Sequence, residues 1–149
     1  MSRLASLYQE MILSHNRSPQ NFGDLDPHTH HSHGVNPVCG DDFHLYLFVE
    51  DNRVSKVSFK GQGCAISKAS ASILTETVLG KSIQEIIPIK DAFLKLISDT
   101  ASTEEKAQLG KLKIFEGVKE FPVRVKCAAL IWRALEDAIS QQHGQISTE

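Results

Sequence analysis

Apolar and polar positions along the chain follow two periods. Over residues 43–49, Phe43, Leu45, Leu47 and Val49 alternate with His44, Tyr46 and Phe48. A period of two predicts a strand with one buried face. Asp51-Asn52 is a turn pair. Val54, Val57 and Phe59 then predict a second strand, closing an antiparallel hairpin that breaks at Gly61-Gln62-Gly63. Elsewhere the spacing is three and four. Leu4, Leu7, Tyr8, Met11 and Ile12 predict a helix over 3–15, ended by Pro19 and Gly23. Ile66, Ala69, Ile73, Leu74 and Val78 predict another over 65–79, with Gly80 as its C-cap. A helical segment at 82–98 is interrupted by Pro88, and a third opens near Thr103, whose hydroxyl suits a cap. Pro122 breaks the chain before a last helix over 123–141, with Ala128, Ile131, Leu135 and Ala138 facing inward. Residues 20–42, punctuated by Pro27, Gly34, Pro37 and Gly40, read as loop.

Helix, strands, then helices, with no repeat and no dividing linker, predicts one α+β domain over 1–149. A small antiparallel sheet packs against several helices. With 149 residues, 41% of them hydrophobic, the chain is long enough for one core without staples. Sixteen basic against eighteen acidic residues leave a net charge of −2, which argues against nucleic acid as the main partner. No run approaches the ~18 apolar residues of a membrane span. The N-terminal residues lack the apolar block of a signal peptide, so the expected compartment is the reducing cytoplasm. There, three cysteines and seven histidines become the residues to explain.

The cysteines sit at local breaks. Cys39 lies in Asn36-Pro37-Val38-Cys39-Gly40-Asp41, Cys64 in Gly61-Gln62-Gly63-Cys64-Ala65-Ile66-Ser67, and Cys127 near the start of the last helix. Glycines beside Cys39 and Cys64 let backbone approach a bound group closely. A helix N-terminus pushes a thiol toward thiolate. Cys64 has that placement, and Cys127 is read the same way. Three thiolates and the Asp41 carboxylate, two residues after Cys39, would complete a tetrahedral zinc site. Neither gap between the cysteines forms a CxxC knuckle. The residues alone therefore leave two readings open, a metal site or three inert buried thiols.

The two glycine-flanked cysteine motifs, with a third cysteine entering the last helix, resemble the iron–sulfur cluster assembly scaffolds. That family includes IscU and the N-terminal part of NifU. Leu7-Tyr8 and His15-Asn16-Arg17-Ser18-Pro19-Gln20-Asn21 resemble its opening helix and the loop after it. The likeness spans about residues 4–140. Two features are similar to the SufU branch: a helical insertion over about 82–118, and Lys126 where IscU members carry a histidine before the third cysteine. The resemblance implies the SufE/NifU (IscU-like) fold. It implies one zinc ion held by Cys39, Asp41, Cys64 and Cys127. It also implies sulfur transfer from the persulfide of SufS, a pyridoxal-phosphate cysteine desulfurase, whose histidine replaces the first cysteine on zinc. Cys39 is then the acceptor, and downstream iron–sulfur assembly proteins receive the sulfur. Arg124 is the outer donor expected to reach a thiolate or Asp41, against a plain solvated arginine. Lys126 is assigned no catalytic role.

Three functions follow: zinc-dependent sulfur acceptor, scaffold carrying an iron–sulfur cluster with iron in place of zinc, and binding module with structural cysteines. Asp42 stands where relatives often carry a basic residue and is read as facing solvent. His28, His30, His31 and His33 match no family motif. They are read as a surface loop or edge strand that tolerates histidine, in preference to a divalent-metal site. His15 is read as structural, and Trp132 and Phe115 as core or interface residues.

Overall fold

The computed structural model describes residues 3–140 and 145–148. Its centre is the expected hairpin. Strand β2 (Asp41–Glu50) pairs antiparallel with β3 (Arg53–Gln62) through the two-residue turn Asp51-Asn52. Both turn residues have positive φ, 50° and 65°, the conformation that matches the twist of the strands and that Asn and Asp tolerate. Phe43, Leu45 and Leu47 are almost fully buried, as the alternation requires.

Residues 30–36 correct the loop reading. They form β1 (His30–Asn36), antiparallel to β2, with Asn36 opposite Asp41. Apolar alternation is missing because Ser32, Gly34 and Asn36 occupy the inward positions of this strand. The inward Ser32 is tolerated because its hydroxyl donates to the Asp137 carboxylate at 2.8 Å. A short β4 (Gln145–Ser147), not anticipated, adds in parallel to β1, so the sheet runs β3-β2-β1-β4.

Among the described residues five α-helices accompany this sheet, and α2 and α5 make the main contacts with it. Helix α1 (Arg3–Arg17) reaches two residues past the expected end. Helix α2 (Ala65–Val78) ends ahead of Gly80, whose φ is +84°. Helix α3 (Ile83–Ile97) continues through Pro88 without interruption. Pro88 and Gln84, whose carbonyl loses its helical partner, are both exposed, so water can satisfy that group. Helix α4 (Thr103–Ala107) is capped by Ser102, not Thr103. The Ser102 hydroxyl accepts from Glu105 N–H, and the Glu105 carboxylate accepts from Ser102 N–H. A 3-10 stretch over Gly110–Glu120 follows, and then α5 (Pro122–Ile139) with Pro122 in its first turn. The expected end of the last helix at 141 lies outside the described residues.

Helix α5 lies against β1 and β2, and α2 lies against α1 and α5. Trp132 and Phe115 belong to the core, with no exposed surface. Trp132 stacks on Phe93 at 4.6 Å, and its indole N–H donates to Ser70 Oγ at 3.1 Å. Phe115 meets Tyr8 and Phe93 edge to face. The segment between α2 and α5 is thus built into the core. Among the described residues, no helix is long and apolar enough to cross a membrane.

Candidate metal centre

The turn joining β1 to β2, Pro37–Gly40, carries Cys39. Gly40 reverses the chain there at φ +73°. Strand alternation then turns Asp41 inward, beside its cross-strand partner Asn36, and both are buried. The Asp41 carboxylate accepts from the Cys64 backbone N–H at 2.8 Å and from Ser67 Oγ at 3.0 Å, with Asn36 Nδ2 at 3.5 Å. A carboxylate held by several donors is oriented by them.

Gly63 makes this approach possible. A Cβ there would stand 2.7 Å from Asp41 Oδ1, 2.6 Å from Ser67 Oγ and 2.6 Å from the Phe43 ring. Cys64 follows as the N-cap of α2, its sulfur accepting from Ser67 N–H at 3.4 Å. This bears on the expected helix-terminus placement: the thiol faces the first turn of α2.

Cys127 departs from the sequence reading. It is the sixth residue of α5 and buried, not at a break. Its thiol lies 3.2 Å from Cys39 Sγ, too far for a disulfide bond, and Asn36 Nδ2 is 3.7 Å away. Burial pushes the Cys127 thiol far above the ordinary range, and Cys39, Cys64 and Asp41 push it the same way. That direction is opposite to the helix-terminus expectation.

One donor atom from each of Cys39, Asp41 and Cys127 lies within 4.8 Å of the others, and Cys64 adjoins them. The gathered donors are two thiols and a carboxylate; the Cys64 sulfur is outside that group, though its side chain interacts with Cys127. The Asn36 side-chain oxygen is buried beside them without a partner among the described residues. A divalent cation would stabilise the thiolate that burial, first, and the neighbouring donors disfavour, so this donor chemistry suits a zinc ion. Asn36 and Ser67 are not assigned a role by the sequence reading, although both lie within the two cysteine motifs.

Arg124 is exposed on the first turn of α5, its guanidinium 4.5 Å from the centre of the Phe121 ring. No hydrogen bond joins it to the cysteines or Asp41. Its charge reaches the Tyr8 hydroxyl, which is buried without a partner among the described residues and raised in pKa chiefly by that burial. Tyr8, Gln9, Ile12, Leu13, Ile66 and Arg124 line a groove of about 320 Å³ between α1 and the ends of α2 and α5. Val38, Phe121 and Val123 expose large apolar surface nearby in sequence to Cys39 and Arg124. Lys126 is exposed, and His15 packs with its Nδ1 2.6 Å from Ser72 Oγ.

Residues 7–145 match the profile of the NifU-like N-terminal domain. The chain is 34% identical to the iron-sulfur cluster assembly scaffold protein IscU of Streptococcus pyogenes serotype M1, over 95% of this chain and 87% of that one. It is 33% identical to the zinc-dependent sulfurtransferase SufU of Bacillus subtilis strain 168, covering 96% of each. The crystal structure of a SUF-system scaffold candidate (FiSufU) from Fervidobacterium islandicum AW-1 superposes with a TM-score of 0.83 at 30% identity. That match covers 90% of this chain and 97% of that one. On the matched profile, the shared fold and two full-length relatives, the chain belongs to the NifU-like N-terminal domain family, in its IscU/SufU group.

Proposed function

We propose that this chain is a zinc-dependent sulfur acceptor for a SufS-type cysteine desulfurase in cytoplasmic iron–sulfur cluster assembly. Cys39, Asp41, Cys64 and Cys127 would hold the zinc ion. The observation that carries the reading is the placement of Cys39. It stands on a turn at the end of the sheet, half-buried, 3.2 Å from the Cys127 thiol and within 4.8 Å of the Asp41 carboxylate. A Bacillus subtilis relative of nearly equal length is named a zinc-dependent sulfurtransferase.

When bound, zinc supplies charge that keeps the thiols deprotonated at neutral pH. The rest is done by the chain. The turn Pro37–Gly40 presents Cys39 to a partner while β1 and β2 hold its base. The Cys39 thiolate attacks the terminal sulfur of the desulfurase persulfide. A new sulfur–sulfur bond forms on Cys39, the donor's sulfur–sulfur bond breaks, and the donor cysteine leaves as thiolate. Electrons balance without an external oxidant. Asp41, fixed by Cys64 N–H and Ser67, keeps its place as Cys39 moves away. The partner would rest on the groove beside α1 and on Val38, Phe121 and Val123, with Arg124 positioned to attract the anionic persulfide.

A second reading, a scaffold holding an iron–sulfur cluster on the same cysteines, is favoured by the Streptococcus pyogenes relative, which is named a scaffold. Metal analysis of the purified protein separates them. About one zinc per chain that survives dialysis against a chelator, lost in Asp41→Ala, supports the sulfur acceptor. Iron with acid-labile sulfide and visible absorption supports the scaffold. In a companion assay, desulfurase and cysteine are mixed with the protein. A rise in alanine output that disappears in Cys39→Ser is expected, and no rise overturns the proposal.

A further inference from the structure

The cysteine centre makes no use of the histidine-rich stretch, and the fold sorts these histidines in a way their spacing hides. In the pairing of β1 with β2, His33 stands opposite His44 and Val35 opposite Asp42. Ser32 points inward to Asp137, so His31 and His33 share the outer face of β1. On β2, Asp41, Phe43 and Leu45 point inward and Asp42, His44 and Tyr46 outward. Two histidines of one strand thus meet a histidine and an aspartate of the next.

The contacts are close. His33 Nε2 is 2.6 Å from Asp42 Oδ1, and the His33 and His44 rings stack at 4.1 Å, nearly parallel. His31 Nε2 lies 2.8 Å from His44 Nδ1. One donor atom from each of His33, Asp42 and His44 lies within 4.8 Å of the others. His28 and His30 fall outside this group. His28 Nδ1 is engaged with the Leu25 carbonyl and His30 Nδ1 with the Thr29 hydroxyl.

We propose that His33, Asp42 and His44 form a second metal site, for a divalent first-row ion such as zinc or iron(II), on the sheet face opposite the cysteine centre. Two imidazoles and one carboxylate suit such ions and differ in kind from the thiol-rich set. Three protein ligands leave coordination positions to water, so the ion is exchangeable. The two rings, now stacked, turn about their side-chain torsions until their nitrogens converge; half-exposed side chains do this without disturbing the core. His31 against His44 Nδ1 leaves the other ring nitrogen for the ion and fixes the ring's orientation. Lys60, opposite His44 on β3, would repel a cation, but its ammonium is paired with Asp24. Asp41 and Asp42 are neighbours on one strand, so the two centres lie back to back across β2.

The test uses the full chain without an affinity tag, stripped of metal and titrated with cobalt(II) or zinc against a competing chelator. Wild type is expected to bind about two ions per chain. One cobalt equivalent should show sulfur-to-metal charge transfer, and the other only weak visible bands of nitrogen and oxygen ligation. His33→Gln with His44→Gln should lose the second class and keep the first. Asp42→Asn, nearly the same shape, should weaken the second class at least about tenfold, since even outer groups of metal sites count for 10–100-fold. His28→Gln with His30→Gln should keep both classes. A wild type with no second class, or one that survives His33→Gln with His44→Gln, overturns the site. So does equal loss in the His28/His30 variant, which marks diffuse binding to the patch. The thiolate band of the first class verifies that each variant is folded.

Discussion

Gly63→Ala is the sharpest test of how the centre is built. The added Cβ would lie 2.6 Å from Ser67 Oγ, 2.6 Å from the Phe43 ring and 2.7 Å from Asp41 Oδ1. All three are nearer than carbon tolerates, and two of the three atoms belong to the hydrogen-bonded cradle of the carboxylate. Phe43 is 1% exposed and cannot swing away. Asp41 must therefore move, or the chain between β3 and α2 must. Overpacking of this kind costs about 1–3 kcal/mol. For a domain of this size each kcal/mol lowers the melting temperature by roughly 2–4 °C, so a fall of about 2–12 °C is expected by thermal unfolding in chelator. Zinc retention should fall by about 10–100-fold against a colorimetric chelator, the range for groups that orient metal ligands. Gly117→Ala is the control, because a Cβ there meets nothing within 4 Å. If Gly63→Ala melts and holds zinc like wild type, the close approach of Gly63 to Asp41 is wrong.

Other outcomes follow from single contacts. Ser32→Ala leaves the 8%-exposed Asp137 carboxylate without its hydroxyl donor and should destabilise by about 1–3 kcal/mol in urea unfolding. Phe115→Ala should cost about 3–5 kcal/mol by the same measurement, because the 3-10 stretch supplies a fully buried ring to the core. His15 is held below its ordinary pKa of 6.5, chiefly by burial, against an opposing pull from Glu76. The unfolded chain therefore binds this proton more readily. The His15 contribution is full above about pH 6.5 and is lost as pH falls through the lower folded value. His15→Gln should flatten that part of the stability–pH curve, and NMR titration of the ring should show the depressed midpoint. Cys39→Ser should leave the melting curve in chelator near wild type while ending sulfur uptake from a desulfurase, read as persulfide by mass spectrometry.

The hairpin and the main helices are legible in sequence because their inward positions are apolar and their turns carry Asp, Asn, Gly and Pro. β1 is not, and the reason is physical. Its inward residues Ser32, Gly34 and Asn36 are buried by partners far along the chain, Asp137 and Cys127 among them. A period-two scan records hydrophobicity and is blind to a polar residue satisfied from a distance. Pro88 misleads in the other direction, since a proline on the wet side of a helix costs less than a proline facing the core. At the centre, the approach of Cys39, Asp41 and Cys127 rests on packing across the chain. Motif resemblance could name these residues together, but it could not show that Cys127 lies a turn and a half inside α5, nor that Gly63 and Ser67 fix the carboxylate.

The consecutive residues Asp41 and Asp42 show how much the register of one strand decides. Asp41 goes inward to the thiols, Asp42 outward to His33. A one-residue slip of β2 would exchange them and bring histidines into the core. Two features hold the register. Phe43, Leu45 and Leu47 occupy successive buried positions that His44 and Tyr46 cannot fill equally well. Gly61, at φ +135°, lets β3 approach so closely that a Cβ there would stand 2.0 Å from the Asp42 carbonyl. That glycine admits a close packing of β3 on β2 in this alignment. The hydrophobic alternation that makes the strand recognisable is therefore also what separates two chemically different donor sets, thiol-rich on one side and imidazole-rich on the other, with the thickness of one strand between them.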